Sequence, residues 1–237
     1  MFAYGGYNQN VYVEDANTGN FIYRWKISGA VHSVVFSPDS KQLASGSSAF
    51  VGNSGELHTG GAIMVYDLQT GKLLWKNAID DIVYSVAFSQ DGGLIATGDQ
   101  GGFVKLWDAR SGSLIVSLKK QFQQIHAVAF SPDGKYLVGA GGYVNIWDVK
   151  NHRLKRTISE QDGEVNSVAF LSKSHLMALA TNRGDISVWN IVNGQKIQAF
   201  REQEDSINTI ACSSDGKKLA SGGSNGYVKI WNLNIVK

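Results

Sequence analysis

Residues 207–232 read Ile-Asn-Thr-Ile-Ala-Cys, Ser-Ser-Asp-Gly, Lys-Lys-Leu-Ala-Ser-Gly-Gly, Ser-Asn-Gly, Tyr-Val-Lys-Ile-Trp-Asn. The stretch has three short apolar segments, Ile207 to Cys212, Lys218 to Gly222 and Val228 to Trp231, split by turn residues. Apolar segments this short between Ser, Asp and Gly clusters read as β-strands, and Val228-Lys229-Ile230-Trp231 alternates with the period of two that a strand requires. The pattern recurs along the chain. Its closing aromatic and Asp or Asn stand at Tyr66-Asp67, Trp107-Asp108, Trp147-Asp148, Trp189-Asn190 and Trp231-Asn232. The second members fall at 67, 108, 148, 190 and 232, so successive copies lie 41, 40, 42 and 42 residues apart.

Each period carries the same parts in order. A first strand is expected at Val31 to Phe36, Ile82 to Phe88, Ile125 to Phe130, Val165 to Phe170 and Ile207 to Cys212. Ser37-Pro38-Asp39-Ser40, Ser89-Gln90-Asp91-Gly92, Ser131-Pro132-Asp133-Gly134 and Ser213-Ser214-Asp215-Gly216 follow four of them, with the Pro and Asp that tight turns favour. Leu171-Ser172-Lys173-Ser174 has lost that chemistry. A second strand, a third ending on the aromatic, and a Gly hairpin leading to a fourth complete the unit, and four short antiparallel strands in roughly 40 residues make one propeller blade.

On the Trp-Asp and Trp-Asn pairs, the Ser-Pro-Asp-Gly turns and the Leu-Ala-Ser-Gly second strands, the chain resembles the WD-repeat family over essentially its whole length. That resemblance implies an all-β β-propeller of four-stranded antiparallel blades that holds other proteins. About six blades are expected in residues 1–237, the first and last incomplete. Five blades with an overhang, or the C-terminal part of a seven-bladed domain, are the alternative counts. The family's Asp-His-Ser/Thr-Trp network looks absent, because the position six before Trp holds Gly101, Gly141, Arg183 and Asn225. The tryptophans are therefore expected to pack without it. Asp15-Ala16-Asn17-Thr18-Gly19 before Trp25, and Asp67-Leu68-Gln69-Thr70-Gly71 before Trp75, are weakly similar to quinoprotein-type propeller repeats. They raise a small-ligand or quinoprotein-like enzyme as the alternative function, beside the sensor or interaction end of a larger multidomain protein.

Totals narrow the classes. The 237 residues are 43% hydrophobic with 27 Gly and 2 Pro, ample for a core with many turns. A net charge of +2 gives no basic footprint for nucleic acid. No apolar run suggests a membrane span. Cys212 is the only cysteine, the opening residues lack the layout of a secretory signal, and the expected location is cytoplasmic.

No catalytic, cofactor or metal site is expected. Asp80-Asp81 and Glu202/Glu204/Asp205 read as solvated turn charges. The five histidines fall on separate repeats or loops, and Glu56 with His58 supplies two ligands where a zinc site needs more. The expected function is a non-catalytic scaffold for a protein or peptide partner. Two features carry it. Residues 47–62 lengthen the first full repeat between its second and third strands, with Phe50, Val51, Glu56 and His58. The family resemblance implies that this loop lies on the partner-binding face, and long loops in compact domains tend to be functional. The second feature is the residue after the first apolar position of each inner strand: His32, Tyr84, His126, Asn166 and Asn208. It varies where its neighbours repeat. Charge on this face is uneven. Glu160, Asp162, Glu164, Glu202, Glu204 and Asp205 lie in two connections, Lys119 and Lys120 in the one before, and the basic run Lys150 to Arg156 behind.

Overall fold

The structure, a computed structural model, describes residues 1–51, 57–118, 123–159, 163–171, 175–201 and 205–233, with the backbone alone at 49–51 and 57–59. Six antiparallel sheets stand in chain order, each a propeller blade. The first has three strands, β1 (Phe2–Gly5), β2 (Asn10–Glu14) and β3 (Phe21–Lys26). The second is β4 (Val31–Phe36), β5 (Gln42–Val51), β6 (Leu57–Asp67) and β7 (Leu73–Ile79). The third is β8 (Val83–Phe88), β9 (Leu94–Asp99), β10 (Val104–Asp108) and β11 (Leu114–Ser117). The fourth is β12 (Ile125–Phe130), β13 (Tyr136–Gly141), β14 (Val144–Asp148) and β15 (Leu154–Ile158). The fifth is β16 (Val165–Phe170), β17 (Leu176–Thr181), β18 (Asp185–Asn190) and β19 (Gln195–Arg201). The sixth has three, β20 (Ile207–Cys212), β21 (Lys218–Gly223) and β22 (Val228–Asn232). The expected six blades with incomplete ends are thus present among the described residues. Compact units cover Met1–Ile125 and His126–Lys237.

The turn residues work as their chemistry requires. Between first and second strands the serine hydroxyl donates to the Asp two residues on, at 2.7 Å for Ser37–Asp39 and 2.6 Å for Ser89–Asp91, Ser131–Asp133 and Ser213–Asp215. The Asp after the closing aromatic caps the next hairpin. Asp67 Oδ1 accepts from the backbone N–H groups of Gln69 and Thr70 and from the Thr70 hydroxyl. Asp15 and Asp108 repeat the arrangement, and Asn190 accepts from the N–H groups of Val192 and Asn193. A short side-chain acceptor bonding N–H groups two and three residues ahead is an Asx turn.

Neighbouring blades within each unit share apolar cores. Val11 and Val13 pack with Val31, Leu43 and Tyr66; Ile63 and Val65 pack with Val83, Val86 and Ile95. In the second unit Val144 and Ile146 pack with Val165 and Met177, and Ile186 and Val188 with Ile207, Ile210 and Leu219. Full burial of each such side chain stabilises by about 1.5–3 kcal/mol before ordering costs.

Polar straps run along the outer strands in one direction. Tyr23 Oη donates to Leu68 O at 3.1 Å and Trp25 Nε1 to Gly71 O at 2.8 Å. One blade later, Trp75 Nε1 donates to Ala109 O at 2.9 Å and Asn77 Nδ2 to Gly112 O at 2.5 Å. Gly71 and Gly112 suit these places twice over. Their φ values are +71° and +73°, and a Cβ would strike the rings of Tyr23 and Trp75 respectively.

The tryptophans, expected to pack without the four-residue network, nevertheless find single hydroxyl acceptors. Trp107 Nε1 donates to Thr97 Oγ1 at 3.0 Å, and Trp231 Nε1 to Ser221 Oγ at 2.9 Å. Both acceptors are second-strand hydroxyls, 0% and 2% exposed. Trp189 uses Ser187 on its own strand, at 2.8 Å. A buried indole N–H needs an acceptor, and a hydroxyl across the sheet supplies one without the Asp and His.

Candidate partner-binding face

The variable inner-strand position has a backbone cause. Pairing of β4 with β5 jumps from Val31↔Ser47 to Ser33↔Gly46, leaving His32 out of the ladder. Tyr84, Asn166 and Asn208 are skipped in the same way, between Val83 and Ser85, Val165 and Ser167, and Ile207 and Thr209. Each is the extra residue of a β-bulge, a device that re-aims one side chain without disturbing the ladder on either side.

Within each unit these residues reach toward the next blade. In the first unit the His32 and Tyr84 rings meet edge to face, centroids 5.4 Å apart at 77°. Desolvation lowers the His32 pKa, which keeps its imidazole neutral near pH 7, and raises that of Tyr84. In the second unit Asn166 Nδ2 donates to Ser206 Oγ at 3.1 Å and to Ile207 O at 3.0 Å, and Asn208 Oδ1 accepts from Ser206 Oγ at 3.1 Å. His126 Nε2 lies 3.8 Å from Glu164 Oε2. The serine after the bulge fixes the spacing: Ser33 Oγ accepts from Val86 N and Ser167 Oγ from Ile210 N, both at 3.1 Å.

Residues 47–62, expected as a loop, include a two-stranded arm. β5 and β6 run on past their neighbours, pairing Ser47↔Ala62, Ser48↔Gly61, Phe50↔His58 and Val51↔Leu57. Residues 52–56, Glu56 among them, lie outside the described residues, as do the side chains of Phe50, Val51 and His58. The base of the arm is fixed to the connections that enter the inner strands. Ser48 N donates to Ala30 O at 3.0 Å, and a Cβ on Gly60 or Gly61 would collide with the backbone of Ile79–Val83. Gln100 N to Ile82 O, Asn182 N to Glu164 O and Ser224 N to Ser206 O repeat the first of these bonds. In these blades, then, the turn between second and third strands lies beside the inner-strand entry and its bulge. Of the charges expected nearby, Glu160, Asp162, Glu202, Glu204, Lys119 and Lys120 lie outside the described residues, while Glu164 and Asp205 are described.

One group escaped the sequence reading. Asp99, 0% exposed, accepts from Phe103 N at 2.8 Å and from Lys105 Nζ at 2.7 Å across the turn between β9 and β10. The Asp81 carboxylate stands on the other side of Gly101, where a Cβ would strike it. Asp99 is an internal clamp, satisfied on both oxygens. Its signal was the Asp and Lys six residues apart across a Gly-Gly turn.

Among the described residues no three His, Cys, Asp or Glu gather as metal ligands. Burial pushes the Cys212 thiol up to about 11, far from a thiolate nucleophile. A depression of about 380 Å³ is lined by Asp39 and Asp91, but both carboxylates already accept from turn serines. No described helix is long and apolar enough to cross a membrane.

The nucleolar protein 10-like, N-terminal domain family, a β-propeller family, matches residues 2–193. The chain belongs to that family. The WD domain, G-beta repeat family matches residues 194–232, the sixth blade with the outer strand before it. The WD-repeat resemblance therefore holds, and a role in protein–protein interaction is typical of such propellers. Similar proteins include a WD repeat-containing protein 55 homolog of Aedes aegypti, 37% identical over 79 residues. WD repeat-containing protein SL1-17 of Schistosoma mansoni is 33% identical over 109 residues. Eukaryotic translation initiation factor 3 subunit I of Lodderomyces elongisporus is 28% identical over 125. These alignments take in 32%, 46% and 50% of this chain but only 17%, 32% and 36% of the three relatives.

Proposed function

We propose that this member of the family is a non-catalytic scaffold that binds a protein or peptide through the end of the blades carrying the bulged residues and the β5–β6 arm. The observation that carries the reading is the bulge. Framework residues on either side repeat from blade to blade, whereas the residue set outside the ladder is His32, Tyr84, Asn166 or Asn208. A structural duty would repeat with the blade; an asymmetric partner needs side chains that differ. In the first unit the His32 and Tyr84 rings suit an apolar group of a partner, and in the second the Asn166 and Asn208 amides suit a polar one. No cofactor, nucleic acid or membrane enters this reading, and the location we assign is cytoplasmic, although the name of the matching family refers to the nucleolus.

The test compares partners captured by the intact chain with those captured after deleting Phe50 to Thr59 and replacing Tyr84 by Ala. Loss of a specific partner from both variants is the expected result. An unchanged partner set would refute the surface. A specific thermal shift with quinones, sugars or divalent metals would replace the scaffold with the small-ligand alternative.

A further inference from the structure

Between the outer strands of the first two blades, β3 and β7, lies a groove of about 340 Å³. Alternation along the strands decides what faces it. Met64 and Tyr66 on β6 turn toward the first blade and are 6% and 3% exposed, and their register partners on β7, Lys76 and Leu73, share that side. Trp25 comes across from β3, stacks on the Tyr66 ring with centroids 4.3 Å apart, and is held there by its bond to Gly71 O. Trp25, Met64, Tyr66 and Leu73 make an apolar floor, of which Leu73 remains 48% exposed.

Lys26, at the end of β3, and Lys76 line the same groove, and among the described residues no carboxylate does. Arg24 borders it too, but its guanidinium turns to the far side of β3, where Nε donates to Asn10 Oδ1 at 3.1 Å and the head lies 5.6 Å from the Tyr12 ring centroid. Charge at the groove is therefore carried by two lysines, whose stems can lie along apolar surface while their amines stay in water. The equivalent place between the second and third blades is built differently. There Lys105 stands for Met64 and gives its amine to Asp99, Ser117 stands for Lys76, and Asn77 stands for Trp25. A cationic rim over an apolar floor is thus no requirement of the repeat.

We propose that this groove is a second docking site, for an acidic segment of a protein partner. An apolar side chain of the segment rests on Trp25, Met64, Tyr66 and Leu73, and flanking carboxylates meet Lys26 and Lys76. The volume stands at the low end of the roughly 300–1,000 Å³ that encloses one ligand, which suits a few residues of extended chain rather than a folded surface. Complementary charge selects the partner and speeds its encounter, while the apolar contact holds it. The site lies on the outer strands and does not depend on the bulged end.

Titration calorimetry of the whole chain with the synthetic peptide Glu-Glu-Asp-Leu-Phe-Glu-Glu tests it. Saturable binding at about 10–100 µM, weakening as salt is raised, is the expected result. The neutral peptide Gln-Gln-Asn-Leu-Phe-Gln-Gln should bind roughly tenfold more weakly. The acidic peptide should lose as much on Lys26→Glu, a change at an exposed side chain that should leave circular dichroism unaltered. Lys26→Glu with Lys76→Glu should turn the preference to Lys-Lys-Lys-Leu-Phe-Lys-Lys. Deleting Phe50 to Thr59 and replacing Tyr84 by Ala should leave the affinity unchanged; a loss there would place the binding at the bulged end and overturn the proposal. No saturable binding below about 1 mM, or equal affinity for the neutral peptide or for the Lys26→Glu chain, also overturns it. Tighter binding of a single-stranded oligonucleotide or of anionic phospholipid vesicles at the same lysines would assign the rim to phosphate instead.

Discussion

Removing the cation from the Asp99 clamp should be the costliest single polar change described for the first unit. The Lys105 side chain is 16% exposed and Asp99 is 0%, so Lys105→Met leaves a buried carboxylate with one strong donor, the Phe103 N–H. Stripping one partner from a buried ion pair typically costs about 3–5 kcal/mol, and the small opening to solvent at Lys105 places the expected loss near 3 kcal/mol. Asp99→Asn added to Lys105→Met removes the stranded charge while its side-chain carbonyl can still accept from Phe103 N. The double variant should therefore recover to within about 1 kcal/mol of the parent, roughly 2 kcal/mol more stable than Lys105→Met alone. Equilibrium urea unfolding followed by tryptophan fluorescence measures all three chains, with an unchanged slope required before midpoints are compared. A Lys105→Met cost under about 1 kcal/mol, or a double variant no more stable than Lys105→Met alone, would show that the pair is not the internal clamp described.

Three further outcomes follow from the same geometry. Thr97→Val, nearly isosteric, leaves the buried Trp107 N–H without its acceptor and should cost about 1–3 kcal/mol in the same assay. Gly112→Ala puts a side chain at φ +73° against the Trp75 ring; a loss of about 1–2 kcal/mol and a red-shifted emission are expected as the indole leaves Ala109. Hydrogen bonds from the backbone and hydroxyl of Thr70 and Ser111 hold the Asp67 and Asp108 carboxyls below the ordinary range, and those from serine hydroxyls do so for Asp39, Asp91 and Asp215. A folded value below the unfolded one gives stability that is complete above the unfolded pKa and lost as pH falls through the folded one. The melting temperature should accordingly hold near neutrality and decline below about pH 4, and Asp67→Asn with Asp108→Asn should flatten that decline.

Blade count and strand order were legible because each depends on spacing alone, and the 40–42-residue period leaves little room for another arrangement. The bulge was not read from the sequence, where only a varying position stood out, yet the spacing does record it. Val31, Val34 and Phe36 stand at intervals of three and two, as do Val83, Val86 and Phe88, and Ile207, Ile210 and Cys212. The interval of three marks one residue too many for a regular strand. The tryptophan acceptors lie away from the family's Asp position: Thr97 and Ser221 sit ten residues before Trp107 and Trp231 on the neighbouring strand, a spacing that carries no motif of its own. Residues 47–62 looked like a loop because their small residues give weak periodicity. Pairing across the arm is a property of two segments together, and Gly60 and Gly61 are there for close backbone approach, which side-chain pattern does not record.

The bulged position has a consequence for how such a protein can change over time. His32, Tyr84, Asn166 and Asn208 lie outside the ladder register, and the cores on either side are built from their neighbours. A substitution there removes no register pair, and what it gives up is the local contact of that side chain, such as the Asn166 hydrogen bonds to Ser206 and Ile207. Under the proposed function, recognition and foldability are written at different addresses in each repeat, so duplicated blades can diverge in what they bind while their common framework stays under a separate constraint.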